Sequence, residues 1–382
     1  MKKELLIFEL IFGAILSYVI IIKYFSGERQ FENLALGTET VKYQAVNKEG
    51  NLIHIIHIDT IEEPLFLNAS KSFPKKDNLL FFGNSQTHSI NQKKTNEVNY
   101  ISLLADKPGD SNLNVLCHSL PNANLQEFLL SYEYFKNKFP IRMLIIPVFM
   151  DDMREHGVRG DIYYPNLVSQ QFLLEDSTDY VIKHIDDDLK SFWTTGDYSN
   201  SKSEVMNAEK ETLQEKIELL LNHFFNNKSL AWNNRPNVRG AIFTWLYKAR
   251  NSMFGINAST HRIMIPPRYE INMHALELII QSCLRSNTKL LLYIPPIRSD
   301  VMIPYDSSEY ERFKKSLMAF SIENKGHVFY RNFERIVPGE YWGYKSSSTV
   351  NEKRELDFMH FQYTGHKILA DSIRVFINAH SQ

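Results

Sequence analysis

The chain has 382 residues, 43% of them hydrophobic and 23% charged, which excludes a disordered tail, a collagen-like repeat and a multi-span transporter. The length suits one large domain with an elaboration, or two modest ones. Forty-three basic residues stand against 44 acidic ones, a net charge of -1, so the chain as a whole has no electrostatic claim on nucleic acid.

The first element in chain order is apolar. From Leu5 to Ile22 only Glu9, Ser17 and Tyr18 interrupt a run of apolar or small residues. A helix of that length spans roughly 27 Å, close to the hydrocarbon thickness of a bilayer. Lys2 and Lys3 precede the run, and no small-residue cleavage site follows it. The pattern predicts an uncleaved anchor over residues 1–25, in a single-pass membrane protein with a cytoplasmic N-terminus and an extracytoplasmic body. The competing reading is a buried N-terminal helix, which Glu9 would suit better than a bilayer does.

Residues 26–75 read as a stalk with a short β segment, a strand or hairpin placed on the β-branched stretch Asn51–Asp59. His54 and His57 lie three apart and on opposite faces of such a strand, which argues against a shared metal. An α/β rhythm then begins. Buried strands are predicted at 78–82, 113–116, 143–149, 289–294 and 327–330, from short apolar runs ending at Gly or Pro or preceded by helical faces. Alternation of this kind implies a mostly parallel sheet covered on both faces. Segments 76–160 and 276–378 are assigned to that α/β domain. Residues 161–275 are assigned to a mainly helical insertion, with one amphipathic face through Leu213, Ile217, Leu220, Leu221 and Phe224. Cys117 and Cys283 exclude a disulfide scaffold and a four-cysteine zinc site, and read as two buried thiols or as one bridge in an oxidising compartment.

Two short motifs carry chemistry. Gly83-Asn-Ser85-Gln-Thr87 follows a buried strand, at the carboxyl edge where α/β sheets place their ligands. Asp357-Phe-Met-His360 stands just before the last helical face. A serine hydroxyl is a weak nucleophile until a base takes its proton; histidine does so near neutral pH, and a carboxylate fixes its tautomer. The plain reading of the same letters is a turn and a helix-entry loop. His88 is expected to turn away from Ser85, and His366 to sit in the first turn of the last helix.

The order of these motifs resembles the SGNH, or GDSL-type, hydrolase superfamily, which has its serine after the first sheet strand and Asp-x-x-His before the terminal helix. The resemblance covers segments 76–160 and 276–378 and implies a flavodoxin-like three-layer fold. It casts Ser85 as nucleophile, His360 as base and Asp357 as its orienting acid. Cys117–Glu127 resembles the second block of the family, which places Asn122 where a glycine normally offers its backbone N–H; Ser85 and Asn122 are then the oxyanion donors. The third block normally ends in Gly-x-Asn-Asp, but here the strand runs into Asp151, Asp152 and Arg154, with no asparagine. The Asp151–Arg159 segment is similar to that of membrane-tethered members, the polysaccharide O-acetyltransferase accessory proteins and the teichoic-acid D-alanylation protein. That likeness implies an acyl donor and a polysaccharide acceptor, with a membrane-bound O-acyltransferase as a candidate partner; no metal, cofactor or nucleic acid is expected. Arg154 and Arg159 are either holders of an anionic group on the polymer or ordinary ion pairs. Two functions remain open: a serine-dependent acyl esterase or O-acyltransferase, and a non-catalytic scaffold that binds a glycan or recruits an acyltransferase.

Overall fold

The computed structural model describes residues 12–13, 16–19, 40–59, 61–71, 77–106, 113–155, 157–159, 162, 221, 229, 232, 234–350 and 354–380. Most of the predicted anchor, and the helical face at 213–224 apart from Leu221, lie outside them. Among the described residues no helix is long and apolar enough to cross a membrane.

The chain divides into two compact units. The larger comprises Thr40–Ala208, His261–Gly343 and Asp357–Gln382. It is built on a six-stranded sheet whose pairings are all parallel. The elements run β1 (Thr40–Lys42), β2 (His54–Ile55), α1 (Glu62–Lys71), β3 (Asp77–Gly83), α2 (Ser85–His88), β4 (Ser89–Asn91), α3 (Tyr100–Asp106), β5 (Leu113–Ser119), α4 (Leu125–Lys136) and β6 (Ile141–Pro147). After them come α5 (Arg235–Phe254), α6 (Pro266–Arg285), β7 (Lys289–Ile294), α7 (Ser307–Glu323), β8 (Val328–Asn332), β9 (Trp342–Ser346), β10 (Arg354–Phe361) and α8 (Tyr363–His380).

Spatial order in the sheet is β2-β5-β3-β6-β7-β8. Setting aside the two-residue edge strand β2, the first strand of the motif is flanked by the second on one side and the third on the other. This is a doubly wound order, and its switch point lies at the carboxyl end of β3. All seven residues of β5 are buried, a pattern that requires cover on both faces. Helix α4 packs on α6, and α3 on α8. The strand or hairpin expected across 51–59 reduces to the short strand His54–Ile55, the only residues there that pair with Cys117 and His118. The preceding chain is held by single bonds, from Ile53 N to the Ala45 carbonyl and from Cys117 N to that of Ile53.

The smaller unit takes in Met1–Glu39, Glu209–Thr260 and Tyr344–Leu356. Its described part centres on α5, which ends at Gly255 in the left-handed conformation, φ 64°. There the buried Asn251 donates to the Ser348 carbonyl, and the Glu355 carboxylate accepts from the N–H groups of Ala258 and Ser348. The division falls between Thr260 and His261, so α6 belongs with the sheet. Residues 266–275, assigned from sequence to the insertion, lie within that helix.

Candidate active site

Strand β3 delivers its chain into a tight corner. A Cβ on Gly83 would sit 2.1 Å from Thr87 Oγ1, so the corner closes only with glycine there. Asn84 then caps the short helix α2, its side-chain oxygen accepting from Gln86 N at 3.0 Å. Ser85 is the first residue of that helix.

The second half of the site comes from β10. His360 Nε2 lies 3.0 Å from Ser85 Oγ, and His360 Nδ1 lies 2.9 Å from Asp357 Oδ2. With Nδ1–H donating to the carboxylate, Nε2 is left as acceptor for the serine hydroxyl. Asp357 and His360 are 1% and 6% exposed. Asp357 Oδ1 accepts from the backbone N–H of both Met359 and His360 at 2.9 Å, and Asn91 Nδ2 donates to Oδ2 at 3.2 Å. Burial alone would push this carboxyl up. Electrostatic attraction between the carboxylate and His360, with the hydrogen bonds from its ring and from the two backbone N–H groups, outweighs burial and holds the group below the ordinary carboxylate range. The two motifs predicted from sequence therefore meet in one hydrogen-bonded chain.

The other sequence candidates have distinct placements. Leu120 N donates to the Gly83 carbonyl at 2.9 Å, so the turn that carries Asn122 is fastened beside the end of β3. Asn122 adopts φ 50°, the region glycine favours and asparagine tolerates best among other residues. Arg159 is committed elsewhere. Its guanidinium makes two 2.7 Å bonds to the buried Glu127 and one of 2.8 Å to the Pro121 carbonyl. Glu127 in turn completes the capping box of α4 with Asn124. Arg154 stands 3.7 Å from Asp151 and receives a bond from Arg268 on its carbonyl oxygen.

Asp151 and Asp152, which follow β6, diverge. Asp151 pairs with Arg262 and accepts from the Tyr305 hydroxyl at 3.0 Å. Asp152 is buried and accepts from Asn84 Nδ2 at 3.4 Å. Burial, together with the adjacent Asp151 carboxylate, raises Asp152 well above the ordinary carboxylate range against that bond.

His88 turns from Ser85 and meets Ser119 Oγ at 2.8 Å; the same hydroxyl lies 2.7 Å from His54 Nε2. His366 is in the first turn of α8 and bonds the Ser89 carbonyl at 3.1 Å. Cys117 and Cys283 are buried free thiols, and burial pushes that of Cys283 up to about 12. Three residues around the site escaped the sequence reading: Asn84, Gln86 and Asn91. The first two sit in the Gly83–Thr87 stretch, but their distant partners, Asp152 for Asn84 and Met359 for Gln86, lie 68 and 273 positions away.

No family model matches this sequence, and no curated protein matches it. Among solved structures, the chain is similar to a catalytic mutant of Axe2, an acetylxylan esterase from Geobacillus stearothermophilus. The two are 11% identical, with a TM-score of 0.33, over 79% of this chain and 93% of that one.

Proposed function

We propose that this chain is a serine-dependent acyl esterase or O-acyltransferase of the SGNH type. A single observation carries the reading: the Ser85–His360–Asp357 chain, whose members come from opposite ends of the sequence and meet at the switch point of the sheet. In the first half-reaction Ser85 Oγ attacks the ester carbonyl as His360 Nε2 takes its proton. The backbone N–H groups of Ser85 and Asn122 are the proposed donors to the oxyanion. The carbon–oxygen bond to the leaving alcohol then breaks, and His360 returns the proton to that alcohol. In the second half-reaction an incoming hydroxyl loses its proton to His360 and attacks the acyl-serine, which restores the free hydroxyl. Water as acceptor makes the enzyme an esterase; a polymer hydroxyl makes it a transferase.

The apolar run Leu5–Ile22 supports an anchored, extracytoplasmic placement. With the resemblance to envelope-modifying proteins, it points to a cell-envelope polysaccharide as acceptor and a membrane-bound O-acyltransferase as a source of acyl groups. The acetylxylan esterase likeness is too remote to bear on the substrate. A scaffold that recruits such a transferase is the second reading, favoured by two carboxylates where the family has its oxyanion asparagine.

The test is a fluorophosphonate probe on the purified chain, with an aryl acetate as reporter ester. Labelling and turnover that both vanish in Ser85→Ala, with an unchanged circular dichroism spectrum, support the enzyme. An unlabelled, inert wild type leaves the scaffold.

A further inference from the structure

Asn84 has both ends of its side chain engaged. Its oxygen caps the turn that begins with Ser85, through Gln86 N, and its amide nitrogen donates to Asp152. Asp152 opens the short 3-10 turn that follows β6, the strand beside β3. If Asp152 were removed, Asn84 would be free to rotate out of the cap, and the first turn under Ser85 would loosen.

The charge around this corner is distributed unequally. The groups near Asp152 are Asp151 and Glu155 on its own segment, the backbone of Phe149 just before it, and Asn84 from the β3 corner; the contacts to Asn84 and Phe149 favour the charged form, and burial with the two neighbouring carboxylates outweighs them. The cations of the neighbourhood serve other groups. Arg262 and Arg154 pair with Asp151, and Arg268 of α6 donates to the Arg154 carbonyl. Asn272 of α6 donates to the Glu155 carbonyl. Among the described residues no ion pair reaches Asp152, which is 6% exposed. A buried carboxylate without a cation is costly, and one beside a forming oxyanion would also repel it.

We propose that Asp152 is a positioning residue of the Ser85 site, acting through Asn84, and that it does so as the uncharged carboxylic acid. This rests on the esterase reading and explains how an aspartate can stand where an asparagine is expected. As an acid it offers an acceptor oxygen to Asn84 and one O–H donor with no charge, which resembles a carboxamide with its one acceptor oxygen and two N–H donors.

The experiment compares wild type, Asp152→Asn and Asp152→Ala by aryl acetate turnover between about pH 6 and pH 10, with melting temperature measured alongside. Wild-type kcat/KM should fall on the alkaline side as Asp152 ionises. Asp152→Asn should keep neutral-pH kcat/KM within about threefold and lose that alkaline limb, while Asp152→Ala should lose about tenfold or more at every pH. A raised pKa in the folded state contributes stability that is present at low pH and lost as pH rises through the folded value. Asp152→Asn should therefore gain in melting temperature relative to wild type as pH rises. An unaltered alkaline limb in Asp152→Asn, or wild-type turnover in Asp152→Ala, overturns the proposal. Absence of both turnover and probe labelling in wild type overturns the esterase reading instead. The melting-temperature difference still decides the charge of Asp152 in that case, because a difference that does not move with pH overturns the acid form.

Discussion

Gln86 and Met359 are joined by a 2.7 Å hydrogen bond from the Gln86 side-chain amide to the Met359 carbonyl, so the residue after the candidate nucleophile holds the residue before its base. The same amide nitrogen donates to the Pro296 carbonyl at 2.9 Å, in the loop after β7. Both N–H bonds of a buried side chain are thus used to fix three segments around Ser85 and His360. Gln86→Met keeps the length and apolar stem but removes both bonds, leaving two carbonyls unsatisfied. A displacement of about 1 Å at a reacting pair costs on the order of 10²-fold in rate. Gln86→Met should accordingly lose about that much in kcat/KM, and Gln86→Glu, which points an acceptor at two carbonyls, should lose more. Steady-state kinetics with folding followed by circular dichroism checks both.

Asp357 sets the tautomer of His360. In Asp357→Asn the new amide nitrogen can face Nδ1 as a donor, which moves the ring proton to Nε2 and aims an N–H at Ser85 Oγ. A ring in that state accepts no proton from the serine. The rate of probe labelling and ester turnover should fall by roughly 10⁴-fold while the melting temperature at neutral pH changes much less. Equal activity in the variant would show that the contact between Asp357 and His360 is not part of the chemistry.

Asn91 reaches Asp357 only because β9 passes close by without a side chain. A Cβ on Gly343 would lie 1.9 Å from Asn91 Oδ1. Gly343→Ala must therefore push Asn91 away, and Asp357 Oδ2 loses the bond that Asn91 supplies. The expected result is a lowered melting temperature together with a loss in kcat. Asn91→Ala should reproduce the kcat loss with a smaller effect on stability, since it removes the bond without the clash. If Gly343→Ala lowers stability and leaves kcat unchanged, Asn91 has no share in orienting the acid.

Much of this architecture is written locally in the chain. Strands β3, β6 and β7 are largely apolar runs, because a parallel strand covered on both faces buries nearly every residue, and such runs are visible without knowing their neighbours; β5, which also buries Asn114, His118 and Ser119, gives a weaker signal. Ser85, Asp357 and His360 were legible because their residue types and their order relative to strands and helices suit one chemistry. What surrounds them was not. Asn91 bonds a partner 266 positions away, and Gln86 one 273 positions away; nothing local marks either. Arg159 shows the opposite difficulty. A cation near an expected site reads as a ligand holder, yet its guanidinium matches the two oxygens of Glu127, an acid that looks solvent-exposed until α4 buries it. Charge type is local information, whereas the partner of a charge depends on the fold.

Three buried histidines, His54, His88 and His366, behave in acid as their surroundings dictate. His54 is held at about 3 by burial, and His366 likewise at about 3, although its bond to the Ser89 carbonyl works the other way. His88 is also lowered well below its ordinary value, by burial first and then by nearby His54 and His360 and by Lys42 and His57. In the unfolded chain each would titrate near the ordinary 6.5. A depressed folded pKa contributes stability that is complete above the unfolded value and lost as pH falls toward the folded one. The window runs from about 6.5 down to about 3. Unfolding near pH 5 should take up about three protons on account of these groups, and the melting temperature should fall steadily below neutral pH. The His54–Ser119–His88 bridge gives a specific check. His54→Gln keeps a side chain able to bond Ser119 but cannot be protonated, so its melting temperature should depend less steeply on pH between neutrality and pH 5 than that of wild type. Parallel curves for the two proteins would mean that His54 is not among the groups that couple folding to acid.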